Sequence, residues 1–376
     1  MKKNVINIGV GFDHMRILHD GLGEFSVQLG RRIASQASEW RRRYGVIFSF
    51  HIRNELHGLF GEDVFYLPQN KNQKFIHRAG IKFNLWHTLN QHAKFAAPLG
   101  TKHWVMTVHD FNFLYDPAAR KKTSENLKNR FRLARTDSVI AISDYVAGDL
   151  REKFGYSKPI ERIYNGASAD ALADSAGLPE LPAGRYLFHL SRMAPSKNPR
   201  AILNLAQNWP EQSFVLAGPS SADAENIRGM ARIRGLHNVM VLTDITEGQK
   251  SWLYQNCLGF LLPSWTEGFG LTVIEAMRHG KPVFLSNLTC LPEIGGAHAF
   301  YWREFSAGHM RGVIEAGLAE AERPGFVEQM RAHAASFTWD RCCAGYLDYY
   351  RQQLGLASRD QMAELSSPSS RRYSLR

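Results

Sequence analysis

The sequence predicts an α/β protein built as two doubly wound, Rossmann-like domains that face one another across a cleft. Three observations carry this. Short apolar runs alternate with helix-spaced segments along the whole chain. The runs are continuously apolar rather than alternating, as in parallel strands covered on both faces. Midway, the stretch ALADSAGLPELPAG (171–184) is rich in Ala, Pro and Gly and lacks strand character, which marks a boundary.

The first-half strands are VINIGV (5–10), GVIFSF (45–50), HWVMTVHD (103–110) and SVIAIS (138–143). The second half supplies RYLFHLS (185–191), SFVLAG (213–218), NVMVLT (238–243), GFLLP (259–263) and PVFLS (282–286). With 376 residues there is chain enough for two medium domains. We read 1–170 and 171–354 as those domains, and 355–376, ending SSPSSRRYSLR, as a polar, disordered tail.

Bulk composition narrows the function classes. A hydrophobic share of 44% and a charged share of 22% describe an ordinary globular protein. No segment approaches the roughly eighteen apolar residues of a membrane span. The opening MKKNVINIGVGFDH is too short and mixed for a signal peptide and reads as a first strand, so a cytoplasmic location is expected. Cys257, Cys290, Cys342 and Cys343 have no metal-ligand spacing, so reduced thiols are expected. The net charge of +11 is uneven: residues 1–170 hold 26 Lys and Arg against 16 Asp and Glu, and the remainder 20 against 19. A basic first half suggests an anionic partner.

In open parallel sheets, ligands bind beyond the carboxyl ends of the strands, so residues just after strands are the candidates. Gly21 and Gly23, in HDGLGEF, precede a helix-spaced segment; they read either as a close-approach loop for a ligand or as a simple turn. His109 and Asp110 end a strand. His109 could donate to a sugar hydroxyl or move a proton, or only cap the next loop. Arg192 and Lys197, in SRMAPSKN, suit a diphosphate, or a solvated loop. Asn165 and Gly166, in IYNGA, are first of all a turn signal.

The stretch PSWTEGFGLTVIEAM (263–277) is richer. A strand end is followed by a glycine-bounded loop with Glu267, then a helix with Glu275 about one turn in. Backbone N–H groups near Gly268, Phe269, Gly270 and Leu271 can hold an anion at that helix start. The loop carboxylate can accept from sugar hydroxyls, and the deeper one can bridge a ribose diol.

EGFGLTVIEAM resembles the E-x7-E motif of the retaining glycosyltransferases of family 4, which have the GT-B fold. LSRMAPSKN is similar to that family's donor-phosphate loop, IYNGA to its "PNG" element, AISDY to its strand-then-serine element, and TVHDFNFL to a "TIHDL" segment of bacterial polysaccharide members. DGLGEF sits where the family has its N-terminal glycine loop. The matches run in the family's order from about residue 9 to residue 295. The resemblance implies transfer from a nucleotide-diphosphate sugar with retained anomeric configuration and no metal or other cofactor. Arg192 and Lys197 would hold the diphosphate and stabilise its growing charge. Glu267, with the backbone from Gly268 to Leu271, would bind the donor sugar, and Glu275 and Asn165 would lie on the donor side. His109 would approach the reacting centre, and Gly21 and Gly23 would allow the diphosphate or acceptor to come close. Glu267 is expected to bind rather than act as a nucleophile. Ser191 replaces a usual Gly, Tyr164 a frequent Pro, and Glu24 a neutral or basic residue, which disfavours a direct phosphate contact at Gly23.

The resemblance also puts the acceptor site, for a glycan or lipid-linked acceptor, in the basic first domain. KNQKFIHRAGIKFNLW (71–86) mixes Lys71, Lys74, Arg78 and Lys82 with Phe75, Ile76, Phe83 and Trp86; RKKTSENLKNRFRLAR (120–135) holds seven Lys or Arg. These suggest peripheral binding to the anionic inner face of the cytoplasmic membrane, or a solvated helix face plus a core strand at FNLWHTL. No nucleic-acid module is visible. The donor leans towards GDP-mannose, with UDP-sugars open. A sugar phosphorylase or epimerase, or an inactive basic sugar- or nucleic-acid-binding protein, are the rival readings.

Overall fold

The computed structural model describes residues 5–13, 15, 21–74, 77, 79–115, 122–167, 181 and 186–357. The boundary stretch 171–184, except Leu181, and the tail beyond 357 lie outside the described residues.

Seven strands, β1 (Ile6–Gly11), β2 (Val46–Ile52), β3 (Phe65–Pro68), β4 (Leu85–Thr88), β5 (Trp104–Val108), β6 (Ser138–Ala141) and β7 (Ile160–Arg162), form one parallel sheet in the order 3-2-1-4-5-6-7. Six more, β8 (Tyr186–Leu190), β9 (Ser213–Gly218), β10 (Val239–Thr243), β11 (Gly259–Leu262), β12 (Val283–Ser286) and β13 (Phe300–Trp302), form a second parallel sheet in the order 10-9-8-11-12-13. Each of the apolar runs read from the sequence is one of these strands.

The central strands earn their place by burial on both faces. Ile8 and Val10 of β1, and Phe260, Leu261 and Leu262 of β11, are essentially inaccessible. Fully burying one such side chain is worth ~1.5–3 kcal/mol. The long helix Gly21–Tyr44 lays Phe25, Leu29, Ile33, Ala37 and Trp40 on the first sheet, the three-to-four-residue recurrence of an amphipathic helix.

The last described helix, Trp339–Gln353, falls in the stretch that the sequence reading gives to the second domain, yet its buried face joins the first domain's core. Two connections therefore cross between the domains. They meet as a short parallel pair, with the Ala167 N–H donating to Phe337 O at 3.1 Å. Arg278, from the second domain, donates to Ala167 O and Phe337 O, both at 2.7 Å. The crossing helix is anchored by a buried polar chain: His87 joins Tyr350 through Nδ1 and Thr107 through Nε2 at 2.8 Å, and Thr107 joins the Tyr346 hydroxyl at 3.1 Å. Burial pushes His87 down to about 3, so the ring is neutral and accepts at one nitrogen while donating at the other. Tyr350→Phe leaves Nδ1 unpaired in the core. We expect it to cost ~1–3 kcal/mol in a denaturant titration.

Phe83 and Trp86 are buried, as is Leu85 between them. The stretch FNLWHTL is thus a core strand with its flanks, and these two aromatics do not contribute to a membrane-facing mixture. Phe75, Ile76 and Arg78, and Arg120 and Lys121, lie outside the described residues.

Candidate active site

Strand order reverses between β1 and β4 in the first sheet and between β8 and β11 in the second. The carboxyl-end crevices at these two reversals are where doubly wound sheets bind ligands. The sequence candidates Arg192, Lys197 and Glu267 all lie on the loops that leave β8 and β11.

The β8 loop is tightly built. Met193 and Asn198 adopt the left-handed conformation, at φ 56° and 51°. Gly218, at the end of β9, leaves room for it, since a Cβ there would sit 2.0 Å from Ser191 O. A single 3₁₀ turn, Pro195–Lys197, then presents Lys197. Its ammonium lies 2.7 Å from Glu267 Oε2, and both side chains are about seven-eighths buried (13% and 12% exposed). Ser264 donates to the other oxygen of Glu267 at 2.8 Å. The two loops are also joined through backbone, Trp265 N–H to Ser196 O at 2.8 Å. The structure thus brings Lys197 and Glu267 together as one charged unit. Arg192 is exposed on the same loop.

The glycines around Glu267 have separate causes. A Cβ on Gly268 would meet His109 O, in the other domain, at 2.2 Å. Gly268 O also accepts from the Ser143 hydroxyl at 3.1 Å, and the same hydroxyl oxygen caps the helix Asp144–Glu152 by accepting from Val146 N–H at 3.2 Å. Gly270, at φ 98°, turns the chain into the helix Leu271–Arg278, a conformation that costs other residues strain. Phe269 is buried beside Tyr164 and Phe337. Leu271 opens the helix.

Glu275 lies one turn into that helix. The Tyr254 hydroxyl donates to its Oε2 at 3.0 Å, and the Lys250 ammonium is 3.7 Å from Oε1. Burial raises the Glu275 carboxyl above its ordinary range, with Lys250 and Tyr254 opposing. Lys250 and Tyr254 escaped the sequence reading. Both lie on the helix Glu247–Asn256, which follows β10 behind a Thr246/Gln249 capping box; a lysine just after a strand and a capping box was the available signal.

His109 is 4% exposed. Its Nε2–H donates to Leu89 O at 2.9 Å, its backbone N–H donates to Gln91 Oε1 at 3.1 Å, and its ring stands edge-on to Phe25 at 4.6 Å. With Nε2 protonated, a neutral His109 offers Nδ1 as an acceptor, so donation to a sugar hydroxyl would require the charged ring. Asn165 is buried, with no partner for its Oδ1. Gly166 has a structural cause: a Cβ would meet Trp339 N at 2.2 Å, where the two crossings touch. Gly21 and Gly23 fall inside the first turn of the helix Gly21–Tyr44 rather than in a loop before it; Gly21 is exposed and Gly23 buried. First-turn N–H groups lack intrahelical acceptors, so a close approach there would use the helix start itself.

At the first sheet's reversal, Asp13 accepts from Phe95 N–H at 2.9 Å and lies 3.9 Å from His51 Nδ1. Burial raises Asp13 to about 7, against the pull of the Phe95 N–H, Lys94 and Arg132, while burial lowers His51 to about 4. A carboxyl raised on folding gives stability that is complete below its unfolded value of 3.8 and is lost as pH climbs to about 7. Asp13→Asn is therefore expected to gain on the native protein across that window and to hold the gain above it, as read from Tm at stepped pH.

Two parallel-sheet domains with a charged loop unit at their facing reversals have the architecture of the GT-B fold. The sequence pattern described as glycosyl transferases group 1 matches residues 175–299, and that of glycosyltransferase family 4 matches residues 50–171. The chain belongs to this family of glycosyltransferases. It is 27% identical over 256 residues to the serotype-specific mannosyltransferase WbdA of Escherichia coli, covering 60% of this chain and 30% of that protein. It is 25% identical over 268 residues to the O-antigen chain mannosyltransferase B of Escherichia coli, covering 66% and 70%. Thus the chain spans under a third of WbdA's length. Its fold matches sucrose-phosphate synthase from Thermosynechococcus elongatus (TM-score 0.68, 19% identity, 93% and 99% covered). It also matches Alr3699/HepE of Anabaena, solved with UDP-glucose (0.68, 14%, 92% and 100%).

Proposed function

We propose that the chain moves a hexose, mannose from GDP-mannose in the first instance, from a nucleotide-diphosphate sugar to a glycan or lipid-linked acceptor, with retention and without a metal, in surface-polysaccharide synthesis. The buried Lys197–Glu267 pair at the second sheet's reversal carries this reading. Lys197, with Arg192 beside it, supplies the positive charge that a leaving diphosphate needs. Glu267 accepts from donor-sugar hydroxyls. Glu275, steadied by Tyr254 and Lys250, accepts from the ribose diol. The acceptor oxygen bonds to the anomeric carbon on the face the leaving group departs. The electron pair of the broken C–O bond goes to the β-phosphate, which takes the acceptor's proton. The mannosyltransferase relatives support the choice of sugar, while UDP-sugars are the second choice.

A thermal-shift panel of GDP, UDP, ADP and their sugars, with and without EDTA, tests this. A ligand bound only by the folded state raises Tm. The expected result is selective stabilisation by GDP species that EDTA does not change. Stabilisation that disappears with EDTA would overturn metal independence, and no shift with any nucleotide would overturn the donor site.

No helix among the described residues is long and apolar enough to cross a membrane. The helix Lys122–Arg135 supports the peripheral reading through a feature hidden from the sequence. It exposes Leu127 and Phe131, at 69% and 64%, on a surface shared with exposed Lys128, Arg130 and Arg135. Apolar side chains one turn apart amid cations suit the headgroup layer of an anionic bilayer. Leu127→Glu with Phe131→Glu is expected to lower binding to phosphatidylglycerol vesicles by about tenfold or more, with nucleotide stabilisation unchanged; a sedimentation assay reads it.

A further inference from the structure

A second concavity lies beside the donor loops. It is about 570 Å³, within the ~300–1,000 Å³ of small-molecule sites. Its wall includes Asn198, Arg200, Trp265, Arg303, Glu304 and Phe305. Trp265 is 44% exposed, unusual for so large an apolar ring, and is braced edge-on by Phe305 at 4.8 Å. Arg200, Arg303 and Glu304 are exposed at the same cleft. Asn198 is 9% exposed, and its Nδ2 is buried without a hydrogen-bond partner. Such an unspent amide donor is costly, and it sits behind the cleft wall rather than on its surface.

This combination selects a chemistry. A braced, exposed indole offers a flat face to C–H groups. Two exposed guanidinium groups and a carboxylate offer both donors and acceptors to a dense array of hydroxyls. Glu304 disfavours a polyanion, and the polar groups disfavour a lipid tail. We propose that the cleft is a carbohydrate-binding site that holds a segment of glycan chain, distinct from the place where Lys197 and Glu267 act. The two places share their loops. Trp265 lies two residues before Glu267 and is tied by its N–H to Ser196 O, next to Lys197. A chain seated on Trp265 would thus be tethered beside the reaction centre, raising its local concentration there.

The choice of sugars to try rests on the function proposed above, whereas the cleft does not. The test is therefore a binding measurement without turnover: isothermal titration of short manno- and malto-oligosaccharides into the full chain, its Trp265→Ala and Arg303→Ala variants, and Glu267→Gln. The expected result is saccharide binding that weakens about tenfold in Trp265→Ala, weakens measurably in Arg303→Ala, and persists in Glu267→Gln. Arg303 lies on the rim, so its variant keeps the test open if Trp265→Ala fails to fold. Three results would overturn the proposal: no binding by the native chain, equal binding by both cleft variants, or loss of binding in Glu267→Gln alone, which would locate the sugar at the donor site. Failure of every nucleotide in the thermal-shift panel would overturn the donor reading and leave this one standing.

Discussion

Lys197→Ala is expected to lower kcat by roughly 10²–10³-fold, the range seen when one preorganised charge-stabilising donor is removed. Its ammonium is held 2.7 Å from Glu267 before any donor arrives, so little reorganisation is needed as charge develops on the diphosphate. Glu267→Gln should fall into the same range, because the neutral amide keeps the Ser264 contact but cannot balance Lys197. The two act as one unit, so the double variant should lose far less than the product of the single losses. Breaking a buried pair also costs stability, up to ~3–5 kcal/mol, so turnover must be compared well below each variant's Tm. Near-native turnover in either single variant would remove that residue from the mechanism.

Gly268→Ala is the second large expected effect. The added methyl would fall 2.2 Å from His109 O and 2.9 Å from Asp110 Cβ, both in the opposite domain. Backbone cannot yield as a side chain can, so the loop carrying Glu267 must draw back. Misplacement by about 1 Å is enough for a ~10²-fold loss of turnover, and we expect that loss with the Tm little changed. Gly229→Ala is the matched control, since nothing lies within 4 Å of a Cβ there. Equal activity in both variants would mean that the two domains do not work in contact at this point.

Much of this was legible in the sequence because buried parallel strands announce themselves. β11, GFLL, is an uninterrupted apolar run, and the loop after it, which carries Glu267, inherits its position. What escaped detection was short or exposed. β3 is largely solvent-facing, and β7 and β13 have three residues each, too few for a pattern. Phe83 and Trp86 read either as part of a lipid surface, because lysines flank them, or as part of a core strand at FNLWHTL; their burial, with β4 placed between β1 and β5, decides for the core. Lys197 and Glu267 could each be named, but their pairing depends on the sixty-nine intervening residues folding first. The same holds for Lys250 with Glu275, and for Glu293, whose carboxylate accepts from Asp144 N–H and Tyr145 N–H at 2.7 and 3.0 Å across the domain boundary. Gly166 read as a turn because a turn and a close backbone approach select the same residue.

The paired crossings at Ala167 and Thr338, clamped by Arg278, have a mechanical meaning. Two strands side by side, gripped by one guanidinium, behave like a strap hinge: they allow swing about one line while resisting slip along it. The Glu293 carboxylate and the Ser143–Gly268 contact lie away from that line and work as the latch. Any parting of the jaws would have to release these polar contacts, the Thr266–Asn112 contact and the packing of Phe269 on Tyr164 together, so the closed seat of Glu267 beside His109 is held at several points at once.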